Sequence, residues 1–115
     1  MTEMFAEVKA MLPVNGDDYD QEIITQIKAA ELDMTTSAEI VLPGVISISR
    51  DTTTGEITDN STIDDEFVIT TIATWCNMRI GNPPNYGNLL EAYKGFKGQM
   101  RTSKKYTNYG GGADE

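Results

Sequence analysis

The sequence predicts a mainly α fold: a four-helix bundle-like domain with an inserted β-hairpin and a flexible C-terminal tail. Three observations predict it. Apolar residues recur at helical spacing in four separate stretches. A central stretch alternates apolar and polar residues around turn chemistry, and the chain runs out through Gly110-Gly111-Gly112 with too little to bury. At 115 residues the length suits one domain, able to bury roughly 65% of its unfolded surface. We assign residues 1–107 to the helical domain, with the hairpin insert at about 41–60, and 108–115 to the tail.

The first helix is expected over Thr2 to Leu12, with Thr2 as cap and Met4, Phe5, Val8, Met11 and Leu12 on its inner side. Pro13 ends it, and Val14-Asn15-Gly16-Asp17-Asp18 is a turn. Asp18 followed by Gln21 forms a capping-box pattern for a second helix running to about Met34, with Tyr19, Ile23, Ile27, Ala30 and Met34 inward. Val45-Ile46-Ser47-Ile48-Ser49 alternates, Asp51 to Gly55 turns, and Glu56-Ile57-Thr58 returns. A lone two-stranded ribbon is marginal in water, so this hairpin must lean on the helices or pair with a neighbouring molecule.

A third helix starts at Asp64, or at Ser61 before it, and reaches Ile80 with Val68, Ile72, Trp75, Cys76 and Ile80 inward. Its β-branched residues lower intrinsic helicity, so burial must hold it, which makes it the central core helix. Gly81-Asn82-Pro83-Pro84 stops it. The last helix-like segment, Asn88 to Thr107, places Leu89, Tyr93, Phe96 and Met100 on one face. Lys94, Lys97, Arg101 and Lys104 form a cationic ridge beside that face. Gly95 and Gly98, with Ala92, leave a smooth strip, each glycine costing the helix roughly 1 kcal/mol relative to alanine.

The ridge stands out because the chain is acidic, with a net charge of −9. Met1 to Glu66 holds 15 acidic and 3 basic residues, whereas Phe67 to Glu115 holds 3 acidic and 6 basic. Such a split can orient copies of one molecule against each other, or it can follow from acidic helix starts and basic helix ends. The composition argues against an enzyme and against a cofactor or metal. Histidine is missing and there is one cysteine, Cys76, on an apolar helix face. The carboxylates Asp17, Asp18, Asp20 and Glu22 lack the spacing of a calcium loop. Asp64-Asp65-Glu66 sits at a helix start, where negative charge is stabilised by the backbone dipole. Gly95-x-x-Gly98 lies within a helix, so it is no phosphate cradle. A domain at −9 is a poor binder of DNA. The absence of a signal-like or spanning run at the start, together with the single cysteine, points to a soluble protein of a reducing cytosol, with no membrane partner.

Several short runs, taken in order, resemble a known family. These are Phe5-Ala6-Glu7-Val8-Lys9, the Asp17-Asp18-Tyr19-Asp20 turn, a helix ending near Ala29-Ala30, a hairpin, and Trp75 to Gly81-Asn82-Pro83. They are followed by Leu90-Glu91-Ala92-Tyr93-Lys94, Gln99-Met100-Arg101-Thr102 and Tyr106-Thr107. Together they resemble the small head-to-tail connector proteins, or adaptors, of long-tailed double-stranded DNA bacteriophages. The resemblance spans about Met4 to Thr107; the insert from Val41 to Asn60 matches no family element. It implies a virion component assembled in the bacterial cytoplasm. Such a component forms a homo-oligomeric ring under the portal protein, extends the DNA channel without binding DNA specifically, and docks the next connector or stopper protein. By that analogy Tyr106, Thr107 and Tyr109 contact the portal and become ordered on assembly. Lys94, Lys97, Arg101 and Lys104 are expected to meet Asp17 and Asp18, or Asp64 and Asp65, of the adjacent subunit. The alternative is a small acidic regulatory or DNA-mimicking protein that binds a basic host partner.

Overall fold

Four α-helices form the body of the fold in a computed structural model, which describes residues 3–14, 16–80 and 83–107. They are α1 (Met4–Ala10), α2 (Asp20–Leu32), α3 (Glu66–Arg79) and α4 (Tyr86–Arg101). A π-helical turn, Asp33–Ser37, prolongs α2, and a 3₁₀ turn, Lys104–Tyr106, follows α4. Between α2 and α3 an antiparallel hairpin pairs β1 (Ile48–Arg50) with β2 (Ile57–Asp59) in the register Ile48↔Asp59, Ser49↔Thr58, Arg50↔Ile57. The mainly α domain with an inserted hairpin is therefore the fold that the periodicity predicts.

Helix α3 packs against α1, α2 and α4 and forms the centre of the core. Val68, Ile72 and Cys76 on α3 meet Ile23, Ile27 and Ala30 on α2 and Met4 and Val8 on α1, all fully buried. Each fully buried Ile contributes about 1.5–3 kcal/mol over an exposed one, enough to offset the weak intrinsic helicity of Val68, Ile69, Thr70, Thr71 and Ile72 in sequence. The Thr71 hydroxyl, with nowhere else to turn inside the core, donates to the Phe67 carbonyl at 2.8 Å.

Several local expectations are corrected. Met11 and Tyr19 are exposed, at 42% and 37%, because α1 stops at Ala10 and α2 starts only at Asp20, which takes both residues off the helical stripe. The Asp18–Gln21 capping box does not form. The residue preceding α2 is Tyr19, with no side-chain cap, and the expected cap Thr2 of α1 lies outside the described residues. Neither Asp64 nor Ser61 begins α3. The cap is Asp65, whose carboxylate accepts from the N–H groups of Phe67 and Val68, and Ser61 is fully buried, its hydroxyl oxygen accepting from Ser47 N–H at 3.0 Å. The last helix ends at Arg101, six residues before the expected Thr107.

The hairpin leans on its own helices. Asp59 accepts a hydrogen bond from the Phe5 backbone N–H at 2.7 Å, tying β2 to the first turn of α1. Ile48 is buried, and the arms stay joined beyond the regular ladder by Thr62 N–H to the Val45 carbonyl at 2.8 Å. The Asp51 to Gly55 turn forms as the sequence indicates, with Asp51 accepting from Thr53 and Thr54 N–H, and with Gly55 at φ +79°, which only glycine adopts without strain.

Candidate functional site

Helix α4 carries the basic ridge on its outer flank while Tyr93 and Met100 are buried beneath it, and Phe96 stacks edge-on against Phe67 of α3 with ring centroids 5.5 Å apart. The ridge is not uniform. Lys97 Nζ lies 2.8 Å from Asp33 Oδ2, and the Tyr93 hydroxyl donates to the same oxygen at 2.7 Å. Lys97 therefore belongs to its own chain, locking the end of α2 to the middle of α4. Burial pushes the Asp33 carboxyl up, but Lys97, Tyr93 and Ser37 outweigh it and hold its pKa below the usual carboxylate range. Burial and then the Asp33 charge drive the Tyr93 phenol far up, so it stays a donor.

Lys94 and Arg101, one turn to either side of Lys97, are exposed. With Lys97, Gly98, Ser37 and Ala38 they line a cleft of about 230 Å³ between α4 and the π-helical turn. The Gly98 position opens onto free space, with nothing beyond its chain neighbours and its own helix backbone within 4 Å of where a Cβ would stand, and the same holds at Gly95. Lys104 is exposed on the 3₁₀ turn beyond.

A second node joins the C-terminal turn to α3. Asp65 Oδ1 accepts from Phe67 N–H at 2.9 Å and Val68 N–H at 3.3 Å, while Oδ2 accepts from the Tyr106 hydroxyl at 2.6 Å and pairs with Lys105 Nζ at 2.8 Å. Burial works against the Asp65 charge, but these four donors prevail and bring its pKa down to about 2. The Tyr106 carbonyl accepts from Val41 N–H at 2.7 Å, and Tyr106 is only 5% exposed. Tyr106, expected at a partner contact, thus lies inside its own chain. Thr107 is half-buried and donates to the Ser103 carbonyl at 3.0 Å, and Tyr109 lies outside the described residues.

The acidic turn lies at the other end of α2. Asp17 and Asp18 are exposed, while Asp20 turns inward to Lys9 Nζ at 2.6 Å. The same lysine lies 3.9 Å from Asp17, whose side chain remains 91% exposed. Thirteen residues at 1.5 Å each put this turn about 20 Å along α2 from Asp33. Asp64 is exposed too, but it sits beside Asp65 at the basic end.

Asp33, Lys105 and the Lys9–Asp20 pair are anchoring residues that sequence reasoning missed. Asp33 and Tyr93 are 60 positions apart and Lys97 is four further on, and no local spacing signals such a bond. Cys76 is fully buried and its thiol is pushed up to about 12 by desolvation. A wider cleft of about 520 Å³ at the acidic end is lined by Pro13, Val14, Tyr19, Ile80, Pro83 and Asn85 among others, and holds no carboxylate or amine. Among the described residues, no group of three or more carboxylate or thiol side chains is placed to hold a metal ion, and no helix is long and apolar enough to cross a membrane. No family model, no curated protein and no solved structure matches the chain.

Proposed function

We propose that this chain is a structural adaptor of a phage head–tail connector. It assembles as a ring beneath the portal protein, extends the DNA channel and presents a surface to the next connector or stopper. Its mechanism is geometric, with no turnover. The observation that carries the reading is the separation of exposed unlike charge on two different patches of the helical body, Asp17 and Asp18 on the turn before α2 and Lys94 and Arg101 on the middle and last turn of α4. A heterologous interface needs two such complementary patches, and repetition of it closes a ring when the rotation permits. Carboxylates left facing the bore offer phosphates no counterion, so DNA slides past them.

With Lys97 and Asp65 paired inside the chain, the interface of this reading runs through Lys94 and Arg101 on the basic side and Asp17 and Asp18 on the acidic side. Tyr106, buried in its own domain, becomes the root of the portal-facing segment, and Thr107 and Tyr109 stay the proposed portal contacts. The test is the mass of the portal protein encoded in the same genome, measured with and without the chain. A gain of one complete ring of subunits supports the adaptor. A stable monomer with no affinity for the portal overturns it and favours an acidic, DNA-mimicking binder of a basic host partner.

A further inference from the structure

We propose that the cleft between α4 and the π-helical turn is a socket for the Asp17-Asp18 turn of a second copy of this chain, with Lys94 and Arg101 as its two grips. The proposal rests on the adaptor reading and names the contact that builds the ring.

Four features of the cleft fit an acidic segment. Its walls carry Lys94, Lys97 and Arg101 against no exposed carboxylate among its lining residues. Lys97 is already neutralised by Asp33 at 2.8 Å, which leaves Lys94 and Arg101, neither with an ion-pair partner among the described residues, to attract charge from outside. Gly98 offers no side chain at the cleft wall, and the space above it is open, so an incoming turn can approach the helix backbone. Ser37 and Ala38 complete the lining with small uncharged side chains, the Ser37 hydroxyl being engaged with Asp33.

The occupant follows from where charge is left over. Asp64 and Glu66 flank Asp65, at the same end as the cleft and next to Lys105, so a contact through them would bring two basic ends together. Asp17 and Asp18 project from the far end, where Lys9 is shared with the closer Asp20. Duplex DNA is the other polyanion that a cationic cleft could hold, but the rest of a −9 surface repels it. Because socket and turn are different patches, the contact is head-to-tail and leaves the pair one open socket and one open turn.

Zero-length carbodiimide cross-linking of the full chain at millimolar concentration, read by mass spectrometry, tests this. Lys94 should link to Asp17 or Asp18. Only a link recovered between a ¹⁴N-labelled and a ¹⁵N-labelled copy counts as joining two molecules. The double variants K94E/R101E and D17K/D18K should each weaken self-association about tenfold or more. The quadruple variant, in which both partners are reversed, should regain the wild-type value within about threefold. Failure of the quadruple variant to recover, with all variants folded by circular dichroism, overturns the socket; so does Lys94 protection by a duplex oligonucleotide with no intermolecular link. Portal binding is read separately. Rings on the portal that are unchanged in K94E/R101E sink the socket and leave the adaptor standing, whereas self-association through the socket without portal binding does the reverse.

Discussion

Replacing Asp65 with alanine removes four hydrogen-bonding contacts at once. The carboxylate caps α3 through Phe67 and Val68 N–H, a role worth about 1 kcal/mol. It also accepts from the buried Tyr106 hydroxyl at 2.6 Å, a charged hydrogen bond worth about 1.5–3 kcal/mol. The pair with exposed Lys105 is screened by solvent and is left uncounted. Asp65→Ala should therefore cost about 2–4 kcal/mol, a large share of the roughly 5–15 kcal/mol that holds a domain together. The low pKa of Asp65 expresses the same contacts, with that of Lys105 included. Moving a carboxyl from 3.8 to about 2 corresponds to about 2 kcal/mol of preference for the charged form in the folded state.

Urea unfolding followed by circular dichroism measures the loss, and two controls separate its parts. Asp65→Asn keeps an oxygen for the cap and should lose about half as much. Tyr106→Phe removes only the hydroxyl, and a double-mutant cycle with Asp65→Ala should give a coupling of about 1–2 kcal/mol. Hydrogen exchange at Val41 N–H, which donates to the Tyr106 carbonyl, should quicken in both variants. A loss below about 0.5 kcal/mol for Asp65→Ala, or additive behaviour in the cycle, would refute the C-terminal clasp.

Three further outcomes are expected. Since the Asp65 pKa is depressed on folding, its contribution is fully present above the unfolded value near 3.8 and is lost as pH falls through about 2; acid unfolding of Asp65→Asn should be correspondingly shallower over that window. Gly95→Ala and Gly98→Ala, each into open space on an exposed helix, should each raise stability by about 0.5–1 kcal/mol, whereas Gly44→Ala should lower it because a Cβ there meets Ile63 Cγ1 at 2.9 Å and the Ile63 backbone nitrogen at 3.1 Å. Cys76, buried and with a thiol near 12, should resist maleimide in native protein at pH 8 and react at once in urea; rapid labelling of the native form would contradict its burial.

The helical core was legible in the chain wherever periodicity and burial act together. Ile23, Ile27, Ala30, Met34, Val68, Ile72 and Cys76 all occupy the interior that their spacing assigns them. The hairpin was legible through Asp51 and Gly55, whose turn chemistry is local. What the sequence concealed were the choices between neighbours of equal propensity and the bonds between distant ones. Asp64, Asp65 and Ser61 are all competent caps, and Asp65 prevails because Tyr106 and Lys105 arrive from 40 residues downstream to meet its second oxygen. Asp18 loses its capping role because Asp20 is drawn inward by Lys9, which starts the helix later. The basic ridge was visible at its correct period, but not that Asp33 neutralises its middle residue. A contact across more than 60 positions leaves no mark on local spacing.

Electron microscopy of the portal protein incubated with this chain tests the adaptor reading most directly. A closed collar of subunits should cap one face of the portal, coaxial with its channel. Bare portals in the presence of excess folded chain, with that chain still monomeric, would contradict it.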